Sequence, residues 1–332
     1  MTTTTLRRPA RGPHPLLGYV LRRLGAGLLL GAAVSVLMFA ALQLLPGDSA
    51  SAVLGRQSAN PLALHRLEAR FGLDHSALHQ YLAWIGHLLS GNLGISYAAQ
   101  EPVTTLLAGA FENTLILAGA TLVVMIPLAV GLGTFAGVRA GRRSDAVVSG
   151  LTLGAIALPE FVTGTVLATV FAVTWKVLPA VSLVGSGTNA LATPQILVLP
   201  VATLLISSTA YTVRMIRAGV ADVMASDYVE AARLNGIPEP RIIRRYVLRN
   251  ALVPAIQTFA MTTQYLVGGV VVVETVFQYP GIGVALVQAV SAQDIPVVLA
   301  LGLLIALLYV SLNIAADIAV VLLIPRLRTE VG

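Results

Sequence analysis

Three acidic side chains stand inside long apolar runs: Glu160, Glu274 and Asp317. A carboxylate in hydrocarbon costs several kcal/mol, so such groups face a cavity, a bundle interior or a partner. Two readings stay open for all three. They line or gate a substrate path, or they make structural pairs. Glu274 lies close enough to the end of its run to reach water, and Asp317 follows Asn313 by one helical turn. His65, His75, His79 and His87 fall in one polar stretch, with His75 and His79 spaced to share a helical face. A metal-chelate substrate would suit that pair, and solvated surface histidines explain it as well; no resident metal is expected. Other chemistries are missing outright. With no cysteine, thiolate ligands and cysteine nucleophiles are excluded. The single lysine, Lys176, is followed by Val177, so no phosphate-binding Gly-rich loop ends in Lys-Ser or Lys-Thr. No His-Glu-x-x-His occurs either. The chain is therefore expected not to be an enzyme in its own right, and to hold no cofactor.

The most informative segment reads Asp227-Tyr228-Val229-Glu230-Ala231-Ala232-Arg233-Leu234-Asn235-Gly236-Ile237-Pro238. Asp227 with Glu230 three residues on has the form of a capping box, which predicts a short helix. Gly236 should end it, because glycine takes the left-handed conformation after a helix terminus. Pro238 and Pro240 suit the first turn of a second helix. Small Ala231 and Ala232 would let a partner surface approach, and Arg241, Arg244, Arg245 and Arg249 add positive charge. A helix, a sharp turn and a second helix suit transmission of force better than catalysis.

Glu230-Ala231-Ala232, then Gly236, then Leu252-Val253-Pro254 resembles the EAA loop of ATP-binding-cassette importer permeases. Further stretches resemble the dipeptide, oligopeptide and nickel branch of that family, in its first-subunit type with a long outer loop after helix one. They are Leu45-Pro46-Gly47-Asp48, Gly91-Asn92-Leu93-Gly94-Ile95-Ser96, Glu274-Thr275-Val276-Phe277, Pro280-Gly281-Ile282-Gly283, Asp294-Ile295-Pro296 and Pro325-Arg326. Gln293, where arginine is common, and Ile324, where an acid is common, depart from the pattern outside the loop. The resemblance implies a permease subunit forming half of a translocation path for di- or oligopeptides. Asp227, Tyr228, Glu230, Ala231, Ala232, Gly236, Pro238, Arg241 and Arg244 would meet the ATPase. It also implies a second permease chain in a heterodimer, two ATPase subunits carrying ATP and magnesium, an extracytoplasmic binding protein and alternating access. The alternative is a stand-alone secondary transporter or channel, which would need no ATPase dock; nickel or a glutathione-like ligand is the alternative substrate.

These residues must be held by membrane helices. The chain is 56% hydrophobic and 11% charged, with a mean hydropathy of +0.84. Such a composition belongs to the membrane class. Six runs are long enough to cross about 30 Å of hydrocarbon: Leu24 to Leu45, Leu115 to Val138, Ala146 to Val173, Pro194 to Val213, Ala251 to Val276 and Val297 to Ile324. The expected fold is all-α and polytopic, with about six transmembrane helices in the permease arrangement. Residues 1–18 read as a disordered tail, 19–46 as the first span, 47–113 as an extracytoplasmic loop, and 114–328 as a five-helix core containing the coupling loop 222–250. Within the outer loop, Leu78, Leu82, Ile85 and Leu89 share a helical face suited to a membrane surface or the core. Gly131, Gly133 and Gly137 would allow close helix packing, and Pro127 and Pro159 would bend their helices.

Seventeen of the 21 basic residues fall in the tail, the two inner loops and the C-terminal end, if the N-terminus is cytoplasmic. Such asymmetry puts both termini in the cytoplasm of a multi-pass cell-membrane protein. It also accounts for the charge of +6 without nucleic acid as a partner.

Overall fold

The computed structural model describes residues 15–44, 62, 65, 69, 74–185 and 188–323. Among them helix dominates, and the one β-type pairing is an isolated bridge between Ile95 and Pro102. In hydrocarbon every backbone N–H and C=O must be satisfied within the protein, and a helix does this locally. The elements are α1 (Pro15–Leu44), α2 (Ala77–Leu89), α3 (Val103–Val138), α4 (Arg143–Ala157) and α5 (Glu160–Leu167). They continue with α6 (Gln195–Met224), α7 (Asp227–Leu234), α8 (Glu239–Ile242), α9 (Leu248–Phe277), α10 (Ile282–Ser291) and α11 (Ile295–Leu323).

Four helices are long and apolar enough to cross a membrane, and two bent pairs bring the number to six if each pair is one span. The run expected as a single span over 146–173 is such a pair: α4 and α5 meet at 105°. Leu158 and Pro159 are both extended between them. Proline fixes its own φ, removes a donor and keeps the preceding residue out of the helical region. The bend is thus far sharper than a kinked helix. Beyond α5 the chain widens into π-helical turns over Ala168–Thr174. The second pair joins α9 to α10 at 70°. Its pivot is Gln278, at φ 50°. Helix α10 was not anticipated. The first helix begins at Pro15, inside the segment read as tail, and residues 1–14 lie outside the described residues.

Helix α6 is the centre of the packing, touching α3, α4, α5 and α9. Two glycines set its distance from α3. A Cβ on Gly133 would stand 2.9 Å from the Val213 carbonyl oxygen, and one on Gly137 would stand 2.8 Å from that of Arg217. Gly131 faces open space and does not share this role. Outside the bundle, α2 lies against α1 and α11, but not through the face its leucines suggested. Trp84, with Tyr81, Ile85 and Leu88, packs on Phe39 and Leu299. Leu78, Leu82 and Leu89 are exposed.

Candidate functional site

The loop between α6 and α9 forms a helix, a tight turn and a second helix. Its start differs from the expected capping box: Ser226 is the N-cap, and its hydroxyl donates back to the Val223 carbonyl instead of accepting from the first turn. Asp227 and Glu230 occupy that first turn, where negative charge complements the helix dipole. The end is as expected. Gly236 has φ +73°, its N–H donates to the Arg233 carbonyl at 2.9 Å, and the Ile237 N–H donates to that of Ala232 at 3.1 Å. This pair of bonds is the Schellman arrangement. Pro238 caps α8, with Pro240 inside its first turn. A π-helical turn over Ile243–Val247 then feeds directly into α9.

Two contacts stiffen the turn. Arg233 donates to both oxygens of Glu239, Nη2 to Oε1 at 2.8 Å and Nε to Oε2 at 3.2 Å. The guanidinium holds the Glu239 carboxyl below the usual carboxylate range, and the carboxylate pushes Arg233 upward. Beneath them Val229, Ala232 and Ile242 are buried against Val213, Ile216 and Val220 of α6. Ala232 therefore belongs to this chain's own core and does not face outward, a correction to its expected role. Asp227, Tyr228, Glu230, Ala231, Gly236, Pro238, Arg241 and Arg244 are exposed, and so is Leu234 at 83%. Leu234 was missed, although two buried positions, 229 and 232, already define the inward face and leave 234 off it.

The acids separate. Glu160 opens α5 and accepts a hydrogen bond from the Ser207 hydroxyl on α6 at 2.8 Å. A Cβ on Gly269 would stand 2.5 Å from its Oε1, so the glycine makes the room it occupies. Glu160 also lines a cavity of about 740 Å³ with Tyr265 and Tyr309, between α1, α9 and α11. Glu274 is 0% exposed and lines none of the described cavities. The Thr114 hydroxyl donates to its Oε1 at 2.6 Å and the Gly283 N–H to its Oε2 at 2.6 Å. Thr114 in turn accepts from the Ile282 N–H at 2.9 Å. Glu274 thus clasps the start of α10, which is the structural pairing of its two readings and not the path or gate. The side chain of Asp317 lies outside the described residues.

Two further clasps had no signal in local spacing. Asp294 accepts from the Ser96 hydroxyl at 2.5 Å, the Tyr97 N–H at 3.0 Å and the Ala98 N–H at 3.2 Å. Burial and the nearby Asp294 push the Tyr97 phenol up to about 12. At the opposite end Arg217 donates to both oxygens of Asp145, at 2.6 and 2.7 Å, and the Gly141 N–H adds a third bond at 2.9 Å.

Residues 129–329 match the family described as binding-protein-dependent transport system inner membrane component, and residues 16–118 match the N-terminal component of such membrane proteins. A Brucella ovis protein named as a peptide permease is 34% identical over 94% of this chain and 99% of its own length. A Sinorhizobium fredii protein named as a peptide ABC transporter permease is 30% identical over 93% and 99%. The glutathione transport system permease of Escherichia coli is 32% identical over 94% and 99%.

Proposed function

This chain belongs to the family of binding-protein-dependent transport system inner membrane components, and on that premise we propose that it forms half of the translocation path of an ATP-driven importer of di- or oligopeptides. The family is one of transport permeases, not catalytic enzymes, and the chain is a multi-pass membrane protein. Relatives named for peptide and for glutathione transport support short peptide-like substrates. In this reading a related second permease chain completes the path, two separate ATPase subunits bind ATP and magnesium, and an outer binding protein delivers substrate. Both termini lie in the cytoplasm. Glu160, at its cavity, is the acid that meets the path.

One observation carries the coupling role. Helix α7 is fixed from below by Val229, Ala232 and Ile242 and stopped by the Gly236 turn, yet it leaves Tyr228, Ala231 and Leu234 uncovered. Exposed apolar residues on a rigid, charged stub are suited to dock into a partner. Because α8 runs on into α9, a push on α7 would reach a spanning helix without crossing a flexible joint.

The test is Gly236→Val in the assembled transporter. No atom lies within 4 Å of a Cβ placed there, so the cost is the positive φ, of order 1–3 kcal/mol, and not a clash. Membrane abundance should stay normal while uptake and substrate-stimulated ATP hydrolysis in reconstituted vesicles fall severalfold. Equal rates for variant and wild type would reduce Gly236 to a dispensable turn residue and remove the docking assignment.

A further inference from the structure

Where α8 runs into α9, Arg241, Arg244, Arg245 and Arg249 line one open cleft of about 520 Å³ together with Pro240. Their spacing of three, four and eight residues keeps them on one helical face. All four are exposed, and no acidic side chain lines the cleft. Glu239, next to the cleft in sequence, is held by Arg233. Four like charges gathered without a counter-charge raise one another's energy, and an anion between them reverses that cost. Guanidinium groups also match phosphate oxygens in a bidentate fashion, which suits arginine over lysine here.

Depth indicates where the anion comes from. Arg249 is the second residue of α9, and the apolar run begins at Ala251. Arg245 stands only about 9 Å along the axis from that start. Both therefore lie at headgroup level and not far out in solution. Basic clusters immediately beside a spanning helix attract acidic lipids. The exposed face of α7 contributes nothing to the cleft, and Arg245 and Arg249 are not among the residues expected to meet an ATPase, so docking that engages Arg241 and Arg244 leaves the Arg245–Arg249 part of the cleft open.

We propose that this cleft is a phosphate-anion site filled by the headgroup of an acidic phospholipid in the leaflet beside the coupling loop; that this is the inner leaflet rests on the orientation argued above. Occupancy would tie the α8–α9 junction to the membrane surface and make coupling sensitive to lipid charge.

The experiment uses the assembled transporter, titrated with phosphatidylglycerol or phosphatidylcholine and read by native mass spectrometry for retained lipid. The variant is Arg245→Gln with Arg249→Gln, two cleft residues outside the expected docking set. A charge-matched control changes Arg142→Gln and Arg143→Gln, exposed on another loop. Each cleft arginine removed should weaken phosphatidylglycerol binding about fivefold, so the double variant should lose about 25-fold. The loop control should stay within about twofold, Arg245→Lys with Arg249→Lys should recover much of the loss, and phosphatidylcholine should not be retained. Unchanged affinity in the glutamine variant, or an equal loss in the loop control, overturns the site. Displacement of phosphatidylglycerol by inorganic phosphate assigns a soluble anion instead and overturns the lipid. Weaker ATPase association of the glutamine variant in lipid-free detergent, with lipid retention unchanged, assigns an acidic protein surface and overturns it too.

Discussion

A carboxylate within a membrane bundle is tolerable when donors meet its oxygens, and Glu274 satisfies this on both: the Thr114 hydroxyl on one, the Gly283 amide on the other. Removing the carboxylate leaves both donors buried and unmet, at about 1–3 kcal/mol each. Glu274→Ala should therefore lower the thermal unfolding midpoint and membrane abundance. Glu160 has one donor, Ser207, and a cavity beside it. Glu160→Gln keeps an acceptor for that hydroxyl while deleting a charge from the cavity. It should preserve the midpoint and reduce uptake. Measuring melting and transport side by side separates the two, and a Glu160→Gln protein that melts early yet transports normally would exchange their roles. Tyr97 gives a third residue-scale test. Its phenol is raised from 10.0 to about 12, so the folded state holds the proton more tightly than the unfolded one. That contribution is complete below about pH 10 and is lost as pH rises through 12. Tyrosinate absorbance should appear later for Tyr97 than for free tyrosine, and Tyr97→Phe should reduce the amplitude of the late rise by one tyrosine.

Among elements, the closeness of α3 and α6 is set by glycines whose missing Cβ atoms would strike carbonyl oxygens. Backbone cannot move aside as a side-chain tip can, so Gly133→Ala or Gly137→Ala should destabilise by about 1–3 kcal/mol through overpacking. Gly131→Ala, in open space on the same helix, should be neutral or slightly stabilising. Melting of the three variants in one detergent decides it: equal effects would mean the helices are not in contact there. The spacing of these glycines was readable, but which of three touches a neighbour depends on the rotation of α3 against α6, which no local pattern carries. The same divide runs through the rest. The α7 turn was legible because glycine and proline act within a few residues. The six apolar runs were legible because hydrocarbon thickness sets their length. Pro159 signalled a bend, but a bend of 105° depends on what α5 packs against. Nothing local could show that Asp294 reaches back 198 residues to Ser96, or that Arg217, counted only as inner-face charge, spends it on Asp145.

At the scale of the molecule the clasps define two ends. One gathers the finish of α1, the starts of α3, α10 and α11, and the residues from 90 to 102, tied by Asp294 and Glu274. The other gathers the finishes of α3 and α6, the starts of α4 and α9, and all of α7 and α8. Every arginine described between 139 and 249 lies at the second end. The bare charge asymmetry of the sequence thus becomes a spatial one. It also constrains how the outer loop can be tested. Deleting residues 50–90 would remove α2 and strip Trp84 from Phe39 and Leu299, so any loss of transport would be confounded with core damage. A deletion must leave α2 in place. Orientation has a cleaner test, because the chain contains no cysteine and any introduced thiol is unique. Asn235→Cys sits at the exposed tip after α7, and Gln100→Cys sits in the exposed turn before α3. A membrane-impermeant maleimide should label Gln100→Cys in intact cells and Asn235→Cys only in inverted vesicles. Labelling of Asn235→Cys from outside intact cells would turn the molecule over, place α7 away from any ATPase, and leave the coupling reading without a partner on its side of the membrane.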